Sequence, residues 1–368
     1  MSCTGTAWLA TTAIPHYDSV MLIAEFPPFR PDSWLSNCHL QTIVPLFKVG
    51  KKSCYSATKH VVHLRDGDRL VVHDDKPEDW ITGDRIAILL HGLVGCHGSP
   101  YVVRCADKLQ RHGIRTFRVD MRGFGDSTLI SRSHLHGGCS PDLDDIIDCV
   151  SRHSPLSKIS VIGFSIGGNV ALKAAGEWRD APPPNVDSIF AVSPPVDLGK
   201  TSWNLRQFGN RIYEFYFMRR LRSQLALRRR RVKGLKDNGL NPLPARLLQF
   251  DDEFVAPVLG YSGAREYYDV CSSGPLLKDV TVPTIILTAE DDPIVPFEIY
   301  SEFEFSDCVT LASTKHGGHL GFLGKSTRDP DIHWMDWRSP IQSLDWMVRL
   351  DLSQGLPGVI PPSRSFNR

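Results

Sequence analysis

The stretch KISVIGFSIGGNVALKAAGEW, residues 158–178, constrains the fold of this chain more than any other. Its opening residues, Ile159 to Ile162, form a short apolar run rich in β-branched side chains, the composition of a buried strand. From Gly168 onward, Val170, Ala174 and Trp178 recur at the spacing of one helix face. Between these parts stands Gly163-Phe164-Ser165-Ile166-Gly167. A strand reversing into a helix through so tight a turn forces its central residue into a strained backbone conformation with φ > 0. The two backbones then pass close together, so the positions two before and two after must lack side chains. Gly163 and Gly167 meet that demand, and Ser165 is left pointing out of the fold. The pattern is G-x-S-x-G, a turn that presents a serine hydroxyl as a nucleophile. Alone it also fits an ordinary strand-to-helix turn, and the rest of the chain has to decide.

Strands and helices alternate on both sides of this turn. Residues 60–75, HVVHLRDGDRLVVHDD, read as two strands joined at Asp66-Gly67, a hairpin signal. A buried strand over 85–90 ends in His91-Gly92-Leu93-Val94-Gly95. The next helix has Val102, Ala106 and Leu109 on one face and stops at Gly113. A strand over 114–119 runs into a loop whose Arg122 and Asp126 read as an ion pair or turn. A further helix begins near Ser140-Pro141-Asp142, with Ser140 as N-cap. After the Ser165 turn comes a strand over 186–192. The alternation predicts an α/β fold, a mostly parallel sheet flanked by helices. Reactive groups in such sheets gather at the carboxyl ends of the strands, where all of these loops lie.

From Asp197 to about Leu277 the alternation stops, and this segment is expected to be an inserted helical cap. Its aromatic opening (Trp203, Leu205, Phe208, Ile212, Tyr213, Phe215, Tyr216, Phe217) keeps no clean helical face. It is expected either to wall the mouth of a site or to pack onto the core. The arginine run at 228–231 reads as a solvated helix face. The sheet resumes at 284–288 and 309–311, and a helix over 341–350 closes the domain. The expected layout is an N-terminal extension over 1–25, an α/β domain over 26–352 with its cap at about 197–277, and a flexible tail over 353–368. Residues 26–45, proline-rich with apolar anchors, read as an ordered arm laid over the surface.

Composition narrows the functions open to the chain. A net charge of +1 over 368 residues gives no global field for nucleic acid or anionic membranes. The nine cysteines are odd in number, without a C-x-x-C pair or zinc-ligand spacing, as for reduced thiols in a cytoplasmic protein. No apolar run reaches the roughly 18–20 residues that span a bilayer, so at most peripheral membrane contact is expected. No dinucleotide, ATP or metal signature occurs, and no cofactor or metal is expected. Nothing in the sequence specifies an oligomeric state.

A serine hydroxyl needs an adjacent base, usually a histidine oriented by a carboxylate. In folds built on this nucleophile turn the chain order is serine, acid, histidine, each on a loop after a later strand. Here the strand over 284–288 is followed by Glu290-Asp291-Asp292-Pro293, and the next strand by His316-Gly317-Gly318-His319. Asp292 is favoured among the three acids because Pro293 stiffens its loop, with Asp291 second and Glu290 third. His319 is favoured over His316 because Gly317-Gly318 lets the loop bring its imidazole to Ser165. An oxyanion needs two backbone donors, and the amides of Ile166 and Leu93 are the candidates. His91, just before that loop, reads as its buttress.

These residues resemble the α/β-hydrolase superfamily, and within it the YheT-like branch, also called the AB hydrolase 4 family. The resemblance is carried by Asn37-Cys38-His39-Leu40-Gln41-Thr42, His91-Gly92-Leu93-Val94-Gly95, Gly163-Phe164-Ser165-Ile166-Gly167, Phe250-Asp251-Asp252-Glu253-Phe254, Asp291-Asp292-Pro293 and His316-Gly317-Gly318-His319-Leu320-Gly321-Phe322. It spans about residues 26–350 and implies a triad of Ser165, Asp292 and His319 under a cap. Similar proteins include bacterial hydrolases, medium-chain phospholipases and fungal enzymes that make or cleave medium-chain ethyl esters. The resemblance implies a serine carboxylesterase acting on small-molecule acyl esters of short to medium chain. Two alternatives stand beside it: acyl transfer to an alcohol by the same residues, and a non-catalytic binding protein on a hydrolase fold.

Overall fold

The strands form as β1 (Thr58–His63), β2 (Arg69–Asp75), β3 (Ile86–Leu90), β4 (Arg115–Asp120), β5 (Ile159–Phe164), β6 (Val186–Val192), β7 (Thr284–Ala289) and β8 (Val309–Thr314). They belong to a computed structural model that describes residues 28–47, 57–325 and 329–338. The extension at 1–25, the closing helix at 341–350 and the tail at 353–368 lie outside the described residues. One sheet contains all eight strands in the order β1-β2-β4-β3-β5-β6-β7-β8. β2 pairs antiparallel with β1 and with β4, and every other pairing is parallel.

β3, β4, β5 and β7 are buried along their whole length, as strands covered on both faces must be. Their alternation divides the core into two layers. Ile86, Ile88 and Leu90 face one layer with α3 (Ser140–His153) and α4 (Ile166–Trp178). Ala87, Leu89, Ile162 and Phe164 face the other, with Val102, Ala106 and Leu109 of α2 (Pro100–Arg111). Gly113 leaves α2 in the left-handed region at φ 74°, and Gly67 turns the hairpin at φ 79°. Among the described residues no helix is long and apolar enough to cross a membrane.

Four details differ from the sequence reading. The arm forms a helix, α1 (Cys38–Phe47), because the Asn37 side chain accepts hydrogen bonds from the His39 and Leu40 amides at 2.9 and 3.2 Å. Ser140 is the first residue of α3 rather than its cap. Arg122 does not pair with Asp126. It grips Asp142 through two bonds of 2.6 Å and reaches Asp66 and Asp68 at 2.8 and 3.2 Å, fastening the hairpin turn to the start of α3. Asp126 pairs with Lys59 at 2.7 Å. Finally, Arg228 is buried, donating to the carbonyls of Thr128, Ser131 and Ser133, so the arginine run is not solvated throughout.

Candidate active site

Ser165 stands between β5 and α4 at φ 52°, ψ −121°, a conformation that a side chain adopts only under strain. Its amide is held by the Val192 carbonyl at 2.8 Å. A Cβ at Gly163 would lie 2.5 Å from the Gly167 carbonyl oxygen and 2.6 Å from the Gly168 Cα. That is the strand-to-helix approach expected from sequence. A Cβ at Gly167 would instead meet the Leu90 and His91 carbonyl oxygens, each at 2.6 Å. The neighbouring strand β3, not β5, therefore demands the second glycine.

The loops after β7 and β8 converge on this serine. Ser165 Oγ lies 3.0 Å from His319 Nε2, and His319 Nδ1 lies 2.8 Å from Asp292 Oδ2. The other Asp292 oxygen accepts from the Ile294 and Val295 amides at 2.8 and 3.0 Å, which leaves the carboxylate one orientation. Its side chain is wholly buried. Asp291 is aimed elsewhere, accepting from the Gly318 amide at 2.9 Å and lying 3.3 Å from Nδ1 of the exposed His316. Glu290 accepts from Ser313 Oγ at 3.1 Å.

Directly beside Ser165 is the loop after the adjacent strand β3. The Gly92 amide is occupied by the Tyr101 hydroxyl at 2.8 Å, so the next amide available on that loop is that of Leu93. Ile166 opens α4, and its amide is one of the first-turn donors that a helix leaves without an internal acceptor. His91 is buried. The Met121 amide donates to its Nε2 at 3.1 Å, so its own proton sits on Nδ1 and is donated to the Gly92 carbonyl at 2.8 Å. Burial holds this imidazole neutral, pushed down to about 4, and likewise pushes His136 down to about 3. Unfolded, both would titrate near the ordinary histidine value, so the unfolded chain takes up protons first as pH falls. The two histidines therefore lower the thermal midpoint as pH falls from about 6.5 toward 4, outweighing the opposite contribution of the buried Asp251 carboxyl, which is pushed up to about 7. His91 alone contributes about 3 kcal/mol to that decline. A midpoint rising on acidification would contradict the neutral assignment.

The family model described as alpha/beta hydrolase fold matches residues 88–326, which include all the loops above. The chain belongs to the α/β-hydrolase family. A protein of Escherichia coli (strain K12), YheT, whose name assigns it esterase activity provisionally, is 30% identical over 348 residues, covering 93% of this chain and 97% of its own. The human monoacylglycerol lipase ABHD2 is 25% identical over 338 residues, covering 86% of this chain and 79% of its own. In structure the chain is similar to Est1E from Butyrivibrio proteoclasticus, with a TM-score of 0.50 and 15% identity, covering 79% of this chain and 99% of the other. That likeness shows the fold.

In this α/β hydrolase a cavity opens beside Ser165. Twelve of its twenty lining residues are apolar, among them Leu93, Ile166, Leu198, Leu205, Phe217 and Ile294. Asp251 lines it too, donated to by the Tyr268 hydroxyl at 2.6 Å, and burial pushes its carboxyl up to about 7. Of the aromatic opening of the 197–277 segment, Phe217 joins the cavity wall and Tyr213 is buried, but Trp203, Phe208, Phe215 and Tyr216 face outward.

The residues missed by sequence reasoning belong to α1. Thr42 Oγ1 accepts from the His319 amide at 2.9 Å and donates to the Cys38 carbonyl at 2.8 Å. Fully buried Gln41 donates to the Leu35 and Leu323 carbonyls at 2.8 and 3.0 Å and accepts from the Leu323 amide at 2.7 Å. A Cβ at Gly318 or Gly321 would strike this helix at 2.5 and 2.1 Å. The arm thus clasps the loop that carries His319. Its H-L-Q-T motif was visible in the sequence, but nothing local linked it to a loop more than 270 residues away. Gln41→Ala strands several buried backbone groups and is expected to cost about 3 kcal/mol of stability. Thermal unfolding would register this as a clear drop in midpoint, and an unchanged midpoint would show that the arm does not fasten the loop.

Among the described residues one cluster has metal-ligand chemistry: His73, His97 and Asp120. The two imidazoles lie stacked, 3.6 Å apart with 18° between planes, each with a nitrogen on the same carboxylate oxygen. Asp120 Oδ2 takes both, at 3.0 and 2.7 Å, together with the Asp126 amide at 2.8 Å. The point on which both nitrogens converge is held by the carboxylate oxygen itself, the arrangement of a hydrogen-bonded buried carboxylate rather than of three ligands around an ion.

Proposed function

We propose that the chain is a serine hydrolase of carboxylic esters that works through an acyl-enzyme on Ser165. The reading rests on the continuous hydrogen-bond path from Ser165 Oγ through His319 to Asp292, on a serine held at φ 52°. In the first half-reaction Ser165 Oγ attacks the ester carbonyl and its proton passes to His319 Nε2. Asp292 holds the tautomer that leaves Nε2 free to accept and stabilises the imidazolium. The Leu93 and Ile166 amides receive the oxyanion, and the imidazolium then protonates the departing alkoxide. Water, deprotonated by the same imidazole, attacks the acyl-enzyme and restores the serine.

The esterase and lipase names of the relatives support ester hydrolysis, and the apolar lining supports an acyl chain as the group bound. The helical segment 197–277 acts as the cap over the site in this reading, contributing Leu205 and Phe217 to the wall. Each acyl methylene buried there should stabilise binding by roughly 0.8 kcal/mol. A nitrophenyl ester series is therefore expected to show kcat/KM rising severalfold per two carbons from acetyl toward medium chains, then levelling. A flat or falling series would remove the medium-chain assignment. Absence of turnover, together with no fluorophosphonate adduct on Ser165, would remove the serine-hydrolase reading itself.

A further inference from the structure

The outward-facing apolar side chains of the segment between β6 and β7 have no role in the site above. Phe208, Ile212 and Phe215 are 89%, 61% and 67% exposed. Apolar exposure concentrated over so few residues marks an interaction surface. Phe208 lies in the turn Phe208–Asn210, directly before the long helix Arg211–Arg231. On that helix Ile212, Phe215, Arg219, Arg222 and Arg230 share one face by the 3.6-residue period. The face is apolar over its first turn and basic beyond.

The basic part borders a groove between this helix and the segment 232–245, lined by Arg219, Arg222, Arg229 and Arg230. Arg229 is paired with Asp237 at 2.7 Å. Among the described residues no carboxylate pairs with Arg219, Arg222 or Arg230. The helix carries eight arginines against one acid, Glu214, which is buried and bonded to Arg246. The chain's net charge of +1 conceals this segregation.

Unpaired guanidiniums beside protruding aromatic and aliphatic side chains suit the boundary of a bilayer. Apolar groups enter the acyl layer there while arginines meet phosphate oxygens. A two-fold contact with a second copy would oppose the same arginines to one another. The same segment supplies Leu205 and Phe217 to the cavity beside Ser165, so a surface holding its outer side would lie close to the cavity. We propose that this face docks the protein on an anionic phospholipid bilayer. Phe208, Ile212 and Phe215 enter the headgroup–acyl boundary, and Arg219, Arg222 and Arg230 pair with lipid phosphates.

The test is co-sedimentation of the full chain with vesicles of phosphatidylcholine alone or mixed equally with phosphatidylglycerol. Binding to the mixed vesicles is expected, weakening as salt is raised, with little binding to phosphatidylcholine alone. The triple variant Arg219→Gln/Arg222→Gln/Arg230→Gln should lose about a hundredfold in vesicle affinity. Phe208→Ser/Phe215→Ser should lose a comparable amount. Both variants should retain the wild-type thermal midpoint and wild-type turnover of soluble nitrophenyl acetate, which separates this proposal from the ester reading. Wild-type protein that ignores both vesicles, or a triple variant that binds like wild type, would overturn it. So would sedimentation equilibrium showing a dimer that Phe208→Ser/Phe215→Ser converts to monomer.

Discussion

Ser165→Ala is expected to lower ester turnover by about 10⁶-fold and to abolish covalent labelling by a fluorophosphonate. The hydroxyl belongs to a residue that lines the cavity and lies within hydrogen-bond reach of His319 Nε2, at 3.0 Å. Alanine keeps the Cβ and is expected to keep the turn, so the folded fraction and thermal midpoint should not fall. His319→Ala should be nearly as damaging, because a nucleophile without its base is no better than a base without its nucleophile. His316→Ala serves as the control and should cost less than about tenfold, since His316 is half exposed and touches Asp291 rather than Ser165. Labelling that persists in Ser165→Ala, or histidine effects in the reverse order, would assign the chemistry to other residues.

The second large effect concerns the carboxylate. Asp292→Asn should reduce kcat by on the order of 10⁴ with the fold intact. An amide at this position, with its oxygen still held by the Ile294 and Val295 amides, would turn its NH₂ toward His319 Nδ1. That favours the tautomer with the proton on Nε2, which cannot accept from the serine. Asp291→Asn should be far milder, about tenfold or less, because its amide oxygen can still accept from the Gly318 amide. Steady-state kinetics of the two variants side by side decides between the neighbouring acids, and a larger loss at Asp291 would reverse their roles.

Much of this was legible in the chain because it depends on near neighbours. The β-branched run before Ser165, the glycines around it, the Asp66-Gly67 hairpin and Gly113 after α2 each act through backbone conformation within a few residues. The division of β3 between two core layers follows from the two-residue period of a strand. Reading the loops after successive strands in order then brought serine, acids and histidines to one edge of the sheet.

What remained depends on contacts that sequence spacing does not encode. Three consecutive acids follow β7, and their side chains leave the loop in different directions. Only the folded loop, with Ile294 and Val295 turning their amides back, aims Asp292 at His319 and sends Asp291 to Gly318. Gly167 reads as part of a local turn, yet β3 is what leaves no room for its Cβ. Arg228 reads as one of four solvated arginines, but its side chain is enclosed by carbonyls about a hundred residues earlier. The sequence by itself determined the order of the elements and the tight turn at Ser165, since both arise from short-range geometry. The tertiary structure alone decided which acid meets the histidine, how α1 clasps the histidine loop and which aromatics face solvent. Those outcomes depend on packing between segments far apart in the chain, where no local preference selects one partner over another.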